Sequence, residues 1–239
     1  MKSSPQAHNI GVIIPAYRVA NHIQNLIRNI PKCVDRIIVV DDACPENSGK
    51  AALELNDPRV HLVECPSNGG VGAAMKEGFK EAIKQNLSLV IKLDGDGQMD
   101  PKHIPDLVAP ILQEQAAMTK GNRFWHFEAL KSMPLVRRIG NIGLSFLSKI
   151  ATGHWHIFDP TNGYIAIRTD VLKVLDFSHL SERYFFETSL LAELGARGFR
   201  VEDVPIPAVY GNEESSLSVM NSLFTFPIKL AQTTVRRIF

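Results

Sequence analysis

Ser88-Leu89-Val90-Ile91-Lys92-Leu93-Asp94-Gly95-Asp96-Gly97-Gln98 is the stretch on which the reading of this chain turns. Ser88–Leu93 is a short, mostly apolar run, the pattern of a strand covered on both faces. It stops at two carboxylates separated by one glycine. Working back toward the N-terminus, the same design recurs. Ile10–Ile14 reads as a buried strand ending at Pro15-Ala16-Tyr17, and Arg36–Val40 as another ending at Asp41-Asp42. Val60–Glu64 is a further strand. Between them, Asn21–Ile30, Ser48–Leu55 and Gly70–Gln85 carry helical spacing, with Ala74, Phe79, Ala82 and Ile83 as the inner face of the last. Strands alternating with helices predict an α/β fold, a mostly parallel sheet with helices on both faces. Ligands bind such sheets beyond the carboxyl ends of the strands. The polar residues after the first, second and fourth strands therefore converge on one edge.

Toward the C-terminus the pattern is less regular. His103–Gln115 reads as a helix, Ala117–Asn122 as a strand, Phe124–Met133 as an aromatic-rich loop and Leu135–Ala151 as a helix. Gly163–Ile167, Tyr184–Leu194 and Phe199–Val204 read as strand, helix and strand. No repeat or flexible linker divides the chain. The expectation is one catalytic domain over residues 1–212 and a C-terminal amphipathic helical tail over 213–239. In that tail, Lys229, Arg236 and Arg237 stand beside many apolar residues, a composition suited to a membrane surface.

The 239 residues are nearly neutral, 26 Lys+Arg against 25 Asp+Glu, which argues against a nucleic-acid partner. Hydrophobic residues at 45% and charged residues at 21% exclude a disordered chain, a collagen-like repeat and a coiled coil. The 3 cysteines, Cys33, Cys44 and Cys65, form neither a disulfide framework nor a zinc site, and fit a reducing environment. The N-terminus lacks the pattern of a signal peptide, and no apolar run reaches the roughly 18 residues of a membrane span.

The chemistry concentrates at Asp94-Gly95-Asp96. Carboxylates two apart at a strand end suit one hard cation with open positions, Mg²⁺ or Mn²⁺ bridging a diphosphate. An EF-hand is excluded because Met99 and Pro105 stand where glycine and glutamate are required. The bland alternative is a turn capping the helix after Pro101. Asp41 and Asp42 suit hydrogen bonds from a ribose or base, or an N-cap. Asn68-Gly69-Gly70-Val71-Gly72 opens a helix and is a candidate phosphate contact. It is neither a Walker loop, since Lys76 is followed by Glu77, nor a dinucleotide fingerprint, since Met75 stands at the third glycine position.

In order and spacing, Pro15-Ala16-Tyr17, Val40-Asp41-Asp42, Asn68-Gly69-Gly70-Val71-Gly72 with Ala74, and Asp94-Gly95-Asp96 resemble the family 2 glycosyltransferases of the GT-A fold. The resemblance covers about residues 10–210. Gln98, Gly121-Asn122-Arg123-Phe124 and Asp159-Pro160-Thr161-Asn162-Gly163-Tyr164 are similar to the polyprenyl-phosphate branch, which includes dolichol-phosphate mannose synthase. The resemblance implies a metal-dependent inverting transferase moving a sugar from a UDP- or GDP-sugar to an undecaprenyl or dolichyl phosphate. It would work at the cytosolic membrane face, and a homo-oligomer is compatible with it. Pro15, Ala16, Tyr17, Asp41, Asp42, Asn68, Gly72, Lys76, Asp94 and Gly95 would line the nucleotide pocket. Asp94 and Asp96, with Gln98 close by, would hold Mg²⁺ or Mn²⁺. Asp96, Asp159 and Arg123 would carry catalysis, and Arg123, Arg137, Arg138 and Asn141 would hold the acceptor phosphate. Relatives of this branch often carry membrane helices after the catalytic domain, so an apolar helix beyond Phe239 is an expectation.

The sequence departs from the family pattern at Ala43-Cys44, where Gly-Ser is usual, and at Asn141, where a serine is usual. Asp159 and Glu187 are candidate bases for a hydroxyl acceptor. A phosphate acceptor, largely ionised at neutral pH, needs little help from a base. Their alternatives are an Asx turn before Pro160 and a helix N-terminal acid. His154 and His156 flank Trp155, a pattern better explained by packing than by metal. Two rival functions stay open: transfer to a sugar hydroxyl of a polysaccharide, and a non-catalytic subunit binding nucleotide sugars.

Overall fold

A computed structural model describes residues 9–123, 145–183, 185–207 and 230–234. Seven strands form one sheet in the order β3-β2-β1-β4-β6-β5-β7. They are β1 (Ile10–Ala16), β2 (Arg36–Asp41), β3 (Val60–Glu64), β4 (Leu89–Lys92), β5 (Met118–Asn122), β6 (Ile165–Arg168) and β7 (Val201–Pro205). The helices are α1 (Ala20–Arg28), α2 (Ser48–Leu53), α3 (Val71–Lys84), α4 (Ile104–Leu112), the single turn α5 (Thr169–Leu172) and α6 (Phe186–Ala196). Residues 145–152 are also helical.

β1, β2, β3 and β4 run parallel, as the alternating pattern predicts. β6 runs antiparallel to both β4 and β5, so the sheet is mixed at that point. Its reversal matters for function. Residues leading into β6, from Asp159 to Tyr164, lie at the same sheet edge as residues leaving β4 and β5.

Two apolar layers sandwich the sheet. On one face, Val12, Ile14, Ile37 and Ile91 pack with α1 and α4 through Ile23, Ile27, Leu107 and Ile111. On the other, Ile13, Ile38, Val90 and Ile165 pack with α3 and α6 through Met75, Phe79, Leu190 and Leu194. The expected inner face of α3 is largely right, with Ala74, Phe79 and Ala82 buried, Met75 added to them and Ile83 only partly covered. Gly78 lets α3 lie close on the sheet: a Cβ there would stand 2.5 Å from Ile13 Cγ2.

Where expected and observed elements differ, the difference lies mostly at their ends. Helix α4 is preceded by a 3₁₀ turn, Pro101–His103, capped by Asp100 accepting from the Lys102 N–H. The expected loop 124–133, Arg137, Arg138, Asn141 and Tyr184 lie outside the described residues, as does most of the C-terminal tail. Within that tail, 230–234 is helical, and Leu230 is buried with Ala151 and Phe185. No helix among the described residues is long and apolar enough to cross a membrane.

Candidate functional site

The carboxyl ends of β1, β2 and β4 and the entry into β6 make one edge, and the expected site residues that fall among the described residues can be located relative to it. Pro15 and Ala16 end β1. The Ala16 side chain is fully buried in the core, so only its backbone is left to meet a ligand, and its carbonyl already accepts the Asp42 N–H. Tyr17 is exposed, with the Arg18 guanidinium over its ring.

Asp41 and Asp42 are both buried, and their carboxylates are committed to backbone. Asp41 accepts from Cys44 N and Gly49 N, both at 2.7 Å, which ties the loop after β2 to the start of α2. Asp42 accepts from Gly69 N and Gly70 N, both at 2.8 Å, clasping the glycine-rich loop before α3. Asn68 adds a bond from its side-chain amide to the Asp42 carbonyl. Ala43, where the resemblance leads one to expect glycine, takes the left-handed conformation at φ 51°, a shape that glycine adopts without strain and alanine at some cost.

This corrects the expectation that the start of α3 faces a phosphate. Gly72 N and Ala73 N donate to the Glu182 carbonyl at 2.8 and 3.1 Å. Gly72 is buried against the 181–182 backbone, where a Cβ would meet the Ser181 oxygen at 2.1 Å. The amides of Gly69, Gly70, Gly72 and Ala73 are thus engaged inside the protein, and Gly72 serves close packing. Lys76 lies 3.9 Å from Glu182.

Asp94 and Asp96 sit just past β4. Gly95 is small because Val19 fills the space where its side chain would be. Gly97 turns the chain at φ 78° with nothing near it. Asp96 Oδ1 accepts the Gln98 N–H at 2.9 Å. Asp96 and Gly97 also form one wall of a cleft of about 440 Å³ whose other wall is α1, through His22, Asn25 and Asn29. No group of three His, Cys, Asp or Glu side chains converges among the described residues. Asp94 and Asp96 place two hard carboxylates, the donor type that Mg²⁺ or Mn²⁺ accepts, two residues apart just past β4. The residues fit such an ion.

On the other side of the edge, Arg123 and Asp159 form a two-point ion pair. Arg123 Nε lies 2.8 Å from Asp159 Oδ2, and Nη2 lies 3.1 Å from Oδ1. Asp159 is fully buried, while the Arg123 side chain is 39% exposed. A carboxylate so held orients the guanidinium toward solvent. Glu187 is also buried and lies 3.3 Å from Lys92 Nζ. Neither candidate base therefore has an unengaged carboxylate.

His154 and His156 stand edge to face at 5.9 Å, and the His156 ring is bonded to the Val201 carbonyl. The packing expected here is that of Trp155 against core or lipid. Trp155 is exposed and meets the edge of Phe146.

Two site residues went unnoticed in the sequence: Lys92 and Lys120. Both are nearly fully buried. Lys92 reaches Asp94 Oδ1 at 2.5 Å as well as Glu187. Burial pushes its ammonium down, but the two carboxylates outweigh this and hold it above its ordinary value. Lys120 donates to the Asn162 carbonyl. Burial pulls it down to about 8, against the charges of Glu187 and Asp159. The available signal was a lysine inside an apolar strand at each position, which in a two-sided sheet needs a buried partner.

Asp203 on β7 completes this region. Burial pushes it up to about 6, against the Phe158 N–H and Asn122 amide that its Oδ2 accepts, each at 2.8 Å. Its Oδ1 is buried with no hydrogen-bond partner. The folded chain keeps this proton to about pH 6, whereas an unfolded Asp releases it near pH 4. Stability should therefore fall as pH rises through that window, by at most about 3 kcal/mol. Asp203→Asn should match the parent at pH 4 and exceed it by about 1–2 kcal/mol at pH 8. Denaturant titrations at both pH values check this, and equal gaps at the two would refute it.

The family model described as glycosyl transferase family 2 matches residues 11–176. The UDP-N-acetylglucosamine–dolichyl-phosphate N-acetylglucosaminyltransferase of Methanococcus voltae is 30% identical over 234 residues, covering 92% of each chain. The polyprenol monophosphomannose synthase of Mycolicibacterium smegmatis is 30% identical over 201 residues, covering 82% of this chain and 75% of its own. Among solved structures, the glucosyl-3-phosphoglycerate synthase of Mycobacterium tuberculosis is similar in fold, with TM-score 0.70 at 19% identity over 98% of this chain and 83% of that one. The same enzyme in complex with Mn²⁺, UDP and phosphoglyceric acid aligns with TM-score 0.70 at 17% identity, over 96% of this chain and 78% of that one. From the strand-end motifs, the GT-A sheet and relatives matched along nearly the whole chain, it follows that this protein belongs to glycosyl transferase family 2 and is a glycosyltransferase.

Proposed function

We propose that the chain transfers a sugar from a UDP- or GDP-sugar to a polyprenyl phosphate, with Mg²⁺ or Mn²⁺, at the cytosolic surface of a membrane. The observation that carries the acceptor class is the state of the candidate bases. Asp159 is locked to Arg123, and Glu187 to Lys92. A sugar hydroxyl needs a base to take its proton. A phosphomonoester arrives already ionised and needs a cation to hold it. Arg123, partly exposed and fixed from behind by Asp159, suits that task. The names of the two relatives above, which specify dolichyl phosphate and polyprenol monophosphate chemistry, support the same class.

In this reading an acceptor oxygen attacks the anomeric carbon while the bond to the diphosphate breaks on the opposite face. The metal, when bound, neutralises the charge that gathers on the leaving diphosphate. Asp94 and Asp96 would hold it, and Arg123 would hold the acceptor phosphate. Tyr17 and the loop after β2 would border the nucleotide.

The membrane surface is supported by a patch beside the acceptor side. Phe146, Leu147, Ile150, Trp155 and Phe158 are all exposed large apolar side chains, and Lys149 lies over the Phe158 ring at 4.0 Å. Such a patch with a cation suits a lipid interface. The test incubates the protein with Mn²⁺, a short polyprenyl phosphate and UDP- or GDP-sugars in turn, with EDTA controls, and reads products by mass spectrometry. A metal-dependent glycosyl-phosphoryl-lipid is expected. Nucleotide binding with no lipid product from any donor would overturn the acceptor.

A further inference from the structure

The register of the sheet places Lys92, Ile165, Lys120 and Asp203 on one cross-strand row through β4, β6, β5 and β7. Glu187, in the first turn of α6, descends onto this row. It meets Lys92 at 3.3 Å, and its charge also reaches Lys120. Lys92 in turn meets Asp94, and Lys120 holds the carbonyl of Asn162, three residues after Asp159. Gly163 closes the gap between the two halves, since a Cβ there would stand 2.5 Å from Lys92 Nζ and 2.9 Å from Asp94 Oδ2. The layer is therefore packed without slack beneath the carboxylate proposed to hold the metal and beneath the segment that carries Asp159.

A buried ion pair is a weak source of stability, because desolvation offsets most of its attraction. An apolar pair would fill the same space at lower cost. What the charged pair supplies is direction. Lys92 engages Asp94 Oδ1 and leaves the 29%-exposed carboxylate one orientation at the sheet edge.

We propose that Lys92 and Glu187 are positioning residues: Glu187 fixes the Lys92 ammonium, and Lys92 fixes the Asp94 carboxylate in the orientation that receives the metal-bound donor diphosphate. This rests on the reading of Asp94 given above and goes beyond it, because neither residue touches the donor.

The test measures binding of Mn²⁺·UDP and Mn²⁺·GDP by calorimetry, with no acceptor present, alongside melting temperature. The first variant combines Lys92→Met with Glu187→Leu, which removes one charge of each sign and refills the layer with apolar volume. The second is Glu187→Asp, which keeps the charge but shortens its reach. The expected result is affinity about 10- to 100-fold weaker in every folded variant, the range seen when a partner behind a metal ligand is lost. The double variant should melt near the parent. Where it does not fold, Glu187→Asp decides. Affinity within about twofold of the parent in a folded variant would reduce the pair to packing and overturn the proposal. A parent that binds neither complex overturns the reading of the donor site, and the proposal with it.

Discussion

Asp96→Ala should abolish metal-dependent transfer while leaving the fold intact. Asp96 lies outside the core on the loop after β4, where its Oδ1 accepts the Gln98 N–H. Losing it removes no buried apolar contact, so the stability change should stay within about 0.5 kcal/mol. The chemical role proposed for it is different in scale. A group that holds charge on a leaving diphosphate acts mainly in the transition state, and removing one such contact costs about 10²–10³ in kcat. Losing a carboxylate from the proposed metal site should also raise the Mn²⁺ concentration needed for half-maximal rate. The check is initial rate against Mn²⁺ concentration, with a thermal melt on the same preparation. An unchanged melt with at least a hundredfold loss of rate fits the assignment. Near-parental activity with the parental Mn²⁺ dependence would end it.

The second large effect is expected at Asp159, in both stability and acceptor binding. Its carboxylate is fully buried and makes two contacts to the Arg123 guanidinium. Asp159→Asn keeps the shape but loses the charge, leaving Arg123 without its counter-ion. Breaking a fully buried pair costs about 3–5 kcal/mol. Here the Arg123 side chain is 39% exposed and water recovers part of that, so about 2 kcal/mol is expected. That corresponds to a melting temperature lower by roughly 4–8 °C in a chain of this size. For catalysis, a positioning carboxylate and a general base leave different signatures. If Asp159 sets Arg123, KM for the lipid phosphate rises about tenfold or more while the pH profile keeps its shape. If Asp159 takes a proton from a hydroxyl, kcat collapses and the acidic limb of the profile disappears. The ion pair argues for the first outcome.

Much of the fold was legible in local pattern. Arg36–Val40 coincides with β2 to within a residue, because a strand covered on both faces is apolar nearly throughout, and Val60–Glu64 coincides with β3, a partly buried strand at the edge of the sheet. The Asp94-Gly95-Asp96 turn was legible for the same reason: a strand so apolar that ends abruptly on two acids has left the core there. The β6 strand was found, but not its antiparallel direction, since a short apolar run carries no mark of its partner.

The roles of polar residues were less legible, because each depends on what another segment does. Asp42 reads equally as a ribose contact or a turn acid. Only its approach to Gly69 and Gly70 shows where its two oxygens go. The glycine-rich start of α3 reads as a phosphate cradle until Ser181 and Glu182 are seen packed against it.

The α/β architecture, the polar edge and the residues on it can be read from the chain alone, because strand length, apolar period and chain-breaking turns are local properties. How those residues are partnered is set by the folded arrangement of distant segments. Lys92, Lys120 and Glu187 stand on β4, β5 and α6, and nothing near them in sequence shows that they share one buried layer. Strand register and helix docking bring them together, and a buried charge takes its meaning from the opposite charge it meets.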